Sequence, residues 1–139
     1  MYKSAIACGL VLGAAGALFF FNKWKEKDFD VMSVLDDQLR VVELSSYDIT
    51  DWFKKKNPKG FYSNVAILAS NETLDRVQLH RESVNFFKKL IENEPNVIVQ
   101  AVIDKKSGNM IATRAIVFKK ISDKIKEIFD AGNGVVIID

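Results

Sequence analysis

Apolar and polar positions divide the chain into one long apolar run followed by short periodic segments. Ala5–Phe21 (AIACGLVLGAAGALFFF) carries no charge, with Lys3 before it and Lys23, Lys25 and Lys27 after it. The composition then turns acidic at Asp28, Asp30, Asp36 and Asp37. Phe29, Met32 and Leu35 recur there at helical spacing and predict a short amphipathic helix. Leu39–Leu44 (LRVVEL) reads as a β-rich strand. Ser46 or Asp48 then caps a helix whose apolar face is Ile49, Trp52 and Phe53, and Asn57-Pro58-Lys59-Gly60 ends it in a turn. Asn64–Ala69 (NVAILA) reads as a buried strand. Residues 71–82 fit two patterns. One is a helix from Leu74, and the other an edge strand in which Val77 and Leu79 alternate with Arg76, Gln78 and His80.

The remaining segments are clearer. Ser83–Asn93 places Val84, Phe87, Leu90 and Ile91 on one helix face and stops before Pro95. Val97–Ile103 (VIVQAVI) and Met110–Phe118 (MIATRAIVF) flank a polar loop containing Gly108-Asn109, the signature of a hairpin. Ile121, Ile125, Ile128 and Phe129 mark a helix capped by Ser122 and stopped by Gly132, and Gly134–Ile138 is a last strand. The order β-α-β-α-β-β-α-β predicts an α+β domain, a small mixed or antiparallel sheet with helices on one face. The hairpin disfavours a purely parallel sheet. The expected organisation is an anchor helix over residues 1–22, a charged juxtamembrane linker over 23–37 and the α+β domain over 38–139.

A helix over Ala5–Phe21 rises about 26 Å, close to a hydrocarbon core of about 30 Å. Lys3 and Lys23 can snorkel, and Tyr2 and Trp24 fall where interfacial rings belong. The segment therefore predicts a single-pass membrane anchor. A cleaved signal peptide competes with it, because Ala15-Gly16-Ala17 resembles a processing site, and cutting after Ala17 would release a secreted domain. Leu18-Phe19-Phe20-Phe21 argues for retention, since cleavage would leave four large apolar residues at a new N-terminus. Ala5, Gly9, Gly13 and Ala17 recur every four residues and form a small-residue face suited to helix pairing, hence to self-association in the bilayer. More lysines follow the segment than precede it, which favours a cytoplasmic domain.

Composition narrows the partners. Of 139 residues 48% are hydrophobic, including ten Phe, enough for a packed core beside the anchor. The net charge is +2, or about +1 once Lys3 is set aside, which is no footprint for nucleic acid. Cys8, within the apolar run, is the lone cysteine, so the domain holds no disulfide.

No reactive constellation stands out, and the sequence calls for no catalytic residue, cofactor or metal. His80 is the only histidine and has no evident orienting partner. The acids Asp28, Asp30, Asp36 and Asp37 lack the spacing and glycine of a calcium loop. Gly132-Asn133-Gly134 follows a helix and precedes a strand, the reverse of a phosphate loop. Asn71-Glu72-Thr73 is a glycosylation sequon, relevant only in a secretory lumen. The one basic–aromatic cluster is Trp52-Phe53-Lys54-Lys55-Lys56 with Lys59, Phe61 and Tyr62. The leading reading is that the two rings face a core while the lysines complement a helix C-terminus; behind it, Lys54, Lys55, Lys56 and Lys59 are candidates for contact with an anionic lipid surface.

The sequence thus predicts a membrane-tethered, non-enzymatic interaction domain that holds a protein partner at a sheet edge or helix face. The alternative is a small anchored hydrolase using acids such as Asp36, Asp48 or Asp75. A cavity uniting two of these acids would favour the enzyme, and an open apolar edge would favour the interaction domain.

Overall fold

The computed structural model describes residues 10–12, 31–77 and 81–138. Its strands are β1 (Leu10–Leu12), β2 (Leu39–Leu44), β3 (Ser63–Leu68), β4 (Val97–Ile103), β5 (Met110–Ile121) and β6 (Val135–Ile138). Its helices are α1 (Val31–Val34), α2 (Ser46–Lys56), α3 (Asn71–Arg76), α4 (Arg81–Asn93) and α5 (Asp123–Ala131). Five strands form a mixed sheet in the order β6-β3-β4-β5-β2, and β1 adds a short sixth strand beyond β6. Strand β2 runs parallel to β5, and the other neighbours are antiparallel. The α+β class and the mixed sheet agree with the sequence pattern.

The helices do not share one face, and this corrects the sequence expectation. Helices α2 and α5 cover one side, where Ile49, Trp52, Phe53, Ile125 and Phe129 pack on Ala66, Ile98, Ile116 and Val136. Helices α3 and α4 cover the other, where Leu74 and Phe87 pack on Val65, Ile67, Val99 and Val117. The cause lies in the central strands. All seven residues of β4 are buried, so that strand has two apolar faces, and each needs a covering layer. A one-sided sheet would alternate apolar with polar residues, and β4 does not.

Local signals set the helix starts. Ser45, rather than Ser46 or Asp48, caps α2: its hydroxyl accepts from Asp48 N at 3.2 Å, while Asp48 Oδ2 accepts from Ser45 N at 2.9 Å. This reciprocal pair satisfies two backbone donors, and Asp48 serves as its third helical position. The ambiguous stretch after β3 resolves into α3, which starts at Asn71 with the same reciprocal arrangement between Ser70 and Thr73. The sequon's Thr73 is therefore buried and structural. Gln78, Leu79 and His80 lie outside the described residues. Ser122 caps α5 through Ile125 N, as its sequence suggests.

The turn from α5 into β6 fixes α3 against the sheet. Gly134 has φ +88°, and a Cβ added there would lie 2.7 Å from Thr73 Cγ2. Thr73 has little room to move, because its hydroxyl donates to Leu68 O at 2.9 Å, and Arg76 donates to Asn133 O in the same turn. Gly134→Ala combines left-handed backbone strain with overpacking, and is expected to cost about 2 kcal/mol of stability. Urea denaturation of the variant checks this; an unchanged midpoint would refute the close approach.

Leu10–Leu12 fall inside the segment read as an anchor helix. They run extended, pairing Leu10 with Ile138, Val11 with Ile137 and Leu12 with Val136. The small-residue stripe of Ala5, Gly9, Gly13 and Ala17, and the flanking lysines, lie outside the described residues, as does Cys8. Among the described residues no helix is long and apolar enough to cross a membrane. Where the linker was expected, α1 is a single helical turn, Leu35 pairs with Thr113, and Asp36 N donates to Thr113 O at 2.8 Å.

Candidate functional site

Strand register gathers three chain segments at one end of the sheet. Ile103 lies opposite both Ser63 and Met110, so the α2–β3 loop and the β4–β5 hairpin loop are level. Lys105 of the hairpin lines a cavity of about 350 Å³ with Asn57, Gly60 and Tyr62. The pairing of Leu35 with Thr113 brings the chain into the domain at this same end. Buried Asn57 closes the α2–β3 loop, donating from Nδ2 to Tyr62 O and to Asn64 Oδ1, each at 2.9 Å.

The basic–aromatic cluster divides here. Trp52 and Phe53 are buried in the core and Tyr62 is half-buried, as in the structural alternative. Lys54, Lys55, Lys56 and Lys59 are exposed, and Phe61 is 72% exposed. Lys55 pairs with Asp51 at 3.1 Å and Lys56 with Asp36 at 3.0 Å. Lys54 and Lys59 form no ion pair among the described residues.

The outer edge of β2 is open. Nothing among the described residues pairs with it on the side away from β5, so alternate backbone N–H and C=O groups point outward. Val42 is 64% exposed in the middle of this strand. A groove of about 470 Å³ runs beside it, lined by Val42, Pro95 and Val117 and bordered by Lys119. The Arg40–Glu94 ion pair, at 2.9 Å, crosses one end of the groove. A charged edge of this kind resists indiscriminate pairing, while the apolar groove leaves room for a matched side chain.

A polar network supports the β2 side of the sheet from beneath. Gln100 is fully buried; its Nε2 donates to Ile49 O at 2.8 Å, and its Oε1 accepts from Arg114 Nε at 2.9 Å. Arg114 also donates to Asp48 O at 2.9 Å and lies over the Trp52 ring, 5.4 Å from its centroid. Trp52 Nε1 donates to Asp36 Oδ2 at 2.6 Å. Burial draws the Arg114 guanidinium below its ordinary pKa, while Asp36, Asp48 and Asp51 pull it back up. The Lys55 ammonium holds the Asp51 carboxyl below the usual carboxylate range, helped by the Tyr47 hydroxyl and Arg114. The arrangement ties the segment after α1 to α2, β4 and β5, and what it does chemically is hold a corner closed.

Sequence reading passed over Gln100 and Arg114, although the signal was present. Gln100 is the lone polar side chain of β4 and Arg114 the lone charged one within Met110–Phe118, and folding the hairpin about its loop sets them opposite one another. The acids named for hydrolysis are each engaged in structural bonds. Asp36 takes Trp52 and Lys56, Asp48 closes the α2 cap, and Asp75 pairs with Lys88 at 2.6 Å. Among the described residues no three His, Cys, Asp or Glu side chains gather as a metal site.

No family model matches this chain, and comparison with curated proteins and with solved structures found no match.

Proposed function

We propose that this protein is a membrane-tethered, non-enzymatic interaction domain that receives an extended segment of a protein partner along β2. The open outer edge of β2 carries the proposal. An added strand would satisfy the outward backbone groups, and the groove beside Val42 and Val117 would take one of its apolar side chains. The engagement of Asp36, Asp48 and Asp75 in structural bonds favours this reading over a hydrolase.

The tether in this reading is the apolar segment Ala5–Phe21, with its domain on the cytoplasmic side and the Ala5, Gly9, Gly13 and Ala17 face available for pairing. Leu10–Leu12 cannot lie on β6 and in a bilayer helix at once. A three-residue edge strand is marginal by itself, whereas each Leu, Val, Ile or Phe in a membrane helix gains about 0.3–0.6 kcal/mol. In a bilayer the exchange favours the helix.

The test uses the full-length protein in its host cells, with a photo-crosslinking residue at Glu43 and, as a comparison, at Glu72 on α3. A discrete protein adduct is expected from position 43 and not from position 72. Val42→Lys, which adds a charge to the groove without entering the core, should reduce that adduct by about tenfold, the equivalent of 1.4 kcal/mol of binding. Equal adducts from both positions, or indifference to Val42→Lys, would refute docking at this edge.

A further inference from the structure

We propose that the end of the sheet formed by the α2–β3 and β4–β5 loops is a docking face for an anionic phospholipid bilayer, with Phe61 entering the boundary between headgroups and acyl chains. This deepens the tethered reading and rests on it. Phe61 is 72% exposed at the tip of its loop, beside Gly60 with φ +72°. A phenylalanine ring held out in water has no hydrogen-bonding edge, so its transfer into an apolar phase is favourable.

The charge around Phe61 has the matching sign. Lys54 and Lys59 belong to α2 and the turn that follows it, and Lys105, with Lys106 next to it in sequence, comes to the same loop from the hairpin, lining the cavity with Gly60 and Tyr62. All four are exposed, and none forms an ion pair among the described residues. The nearby acid Asp104 is turned inward on its own loop: its Oδ1 accepts from Lys106 N at 3.0 Å and its Oδ2 from Ser107 Oγ at 3.1 Å. Its hydrogen bonds thus shape the hairpin that presents the two lysines. An exposed apolar ring on a loop that shares its end of the sheet with exposed ammonium groups matches the layered chemistry of an anionic membrane surface, with phosphates outside and acyl chains beneath.

Position within the fold supports the same assignment. The Leu35–Thr113 pairing lies toward this end of β5, and Lys23, Lys25 and Lys27 precede α1 in the sequence, so a tether ending at those lysines would favour this face for the bilayer. A nucleic-acid strand is a poorer fit. The domain carries little net charge, and Trp52 and Phe53, which would extend a stacking platform, are buried. With this face on the membrane, the strands stand away from the bilayer and the β2 edge is presented sideways to a partner.

The experiment follows amide hydrogen exchange of the full-length protein mixed with vesicles of phosphatidylcholine alone or with added phosphatidylserine. Flotation of the same samples reports attachment. Flotation with both vesicle types is expected. Exchange over residues 57–62 and 104–109 should slow by about tenfold on the anionic vesicles only, with α3 unchanged. Substituting Lys54→Gln, Lys59→Gln, Lys105→Gln and Lys106→Gln together should erase that slowing, and Phe61→Ser should weaken it. Unchanged exchange in β3 and β4 verifies that each variant remains folded. Flotation without loop protection overturns the docking face and leaves the tether standing. Failure to float with either vesicle overturns both, and protection by a single-stranded oligonucleotide in place of anionic lipid overturns the assignment to lipid.

Discussion

Arg114→Met is expected to destabilise the domain by about 3 kcal/mol, several times the effect of an ordinary surface arginine. The side chain is half-buried and holds three elements at once. Its loss leaves Gln100 Oε1 without a partner in the core and removes a donor from Asp48 O. It also uncovers the Trp52 ring and leaves Asp36, Asp48 and Asp51 without the cation they surround. A buried acceptor left unpaired contributes about 1–3 kcal/mol of that penalty. The companion variant Gln100→Leu strands the guanidinium instead, and should cost about 2 kcal/mol. Removing both partners leaves no orphan, so the double variant should fall short of the sum by more than 1 kcal/mol, about the scale of coupled neighbours. Urea unfolding of the four proteins measures the cycle. Strict additivity would show that the two side chains do not act as a pair. Arg114→Lys should rescue little, because an ammonium cannot donate along both guanidinium directions while stacking on Trp52.

Truncating the core separately on each side of the sheet gives the largest expected losses. Phe87 on α4 and Phe129 on α5 are both fully buried, and they belong to different clusters. Phe87→Ala and Phe129→Ala should each cost about 3–5 kcal/mol, the range for an aromatic side chain deleted from a packed interior. Either loss is a large part of the roughly 5–15 kcal/mol that holds a domain together. The milder pair Phe87→Leu and Phe129→Leu tests the architecture itself. With the sheet between them the two sites share no cavity, so their effects should add to within about 0.5 kcal/mol. Coupling well beyond that would mean one shared core, as a single helical layer would produce. Denaturant midpoints at constant slope supply the comparison.

Much of the fold is legible in the sequence because its signals are local. The strand LRVVEL, the capped helix bearing Ile49, Trp52 and Phe53, the Gly108-Asn109 hairpin and the Ser122-to-Gly132 helix all lie where periodicity and turn chemistry place them. The shift of the α2 cap to Ser45 is the small kind of error that boundary signals allow. Even the second helical layer had a trace in the unbroken apolar run of β4, and Gln100 with Arg114 could be aligned across the hairpin. The Lys54, Lys55, Lys56 and Lys59 group was visible too. The Asp51–Lys55 pair is four residues apart on one helix and was within reach of the sequence, whereas the pairing of Lys56 with Asp36 and the approach of Lys105 to the α2–β3 loop join residues twenty and more than forty positions apart.

The sequence by itself determined most of the elements from Leu39 onward, the α+β class and the apolar character of Ala5–Phe21, since each depends on side chains within a few residues of one another. Only the tertiary structure decided the order β6-β3-β4-β5-β2, and with it which strand is left with an open edge. Strand order follows from competition among pairings distant in the chain, each weighed by the apolar faces it buries and the crossovers it requires, and local periodicity carries no record of that competition. The candidate surfaces are of this second kind. Val42 is exposed because nothing among the described residues lies beyond β2, and Lys105 comes level with the loop that carries Phe61 because Ile103 pairs with Ser63.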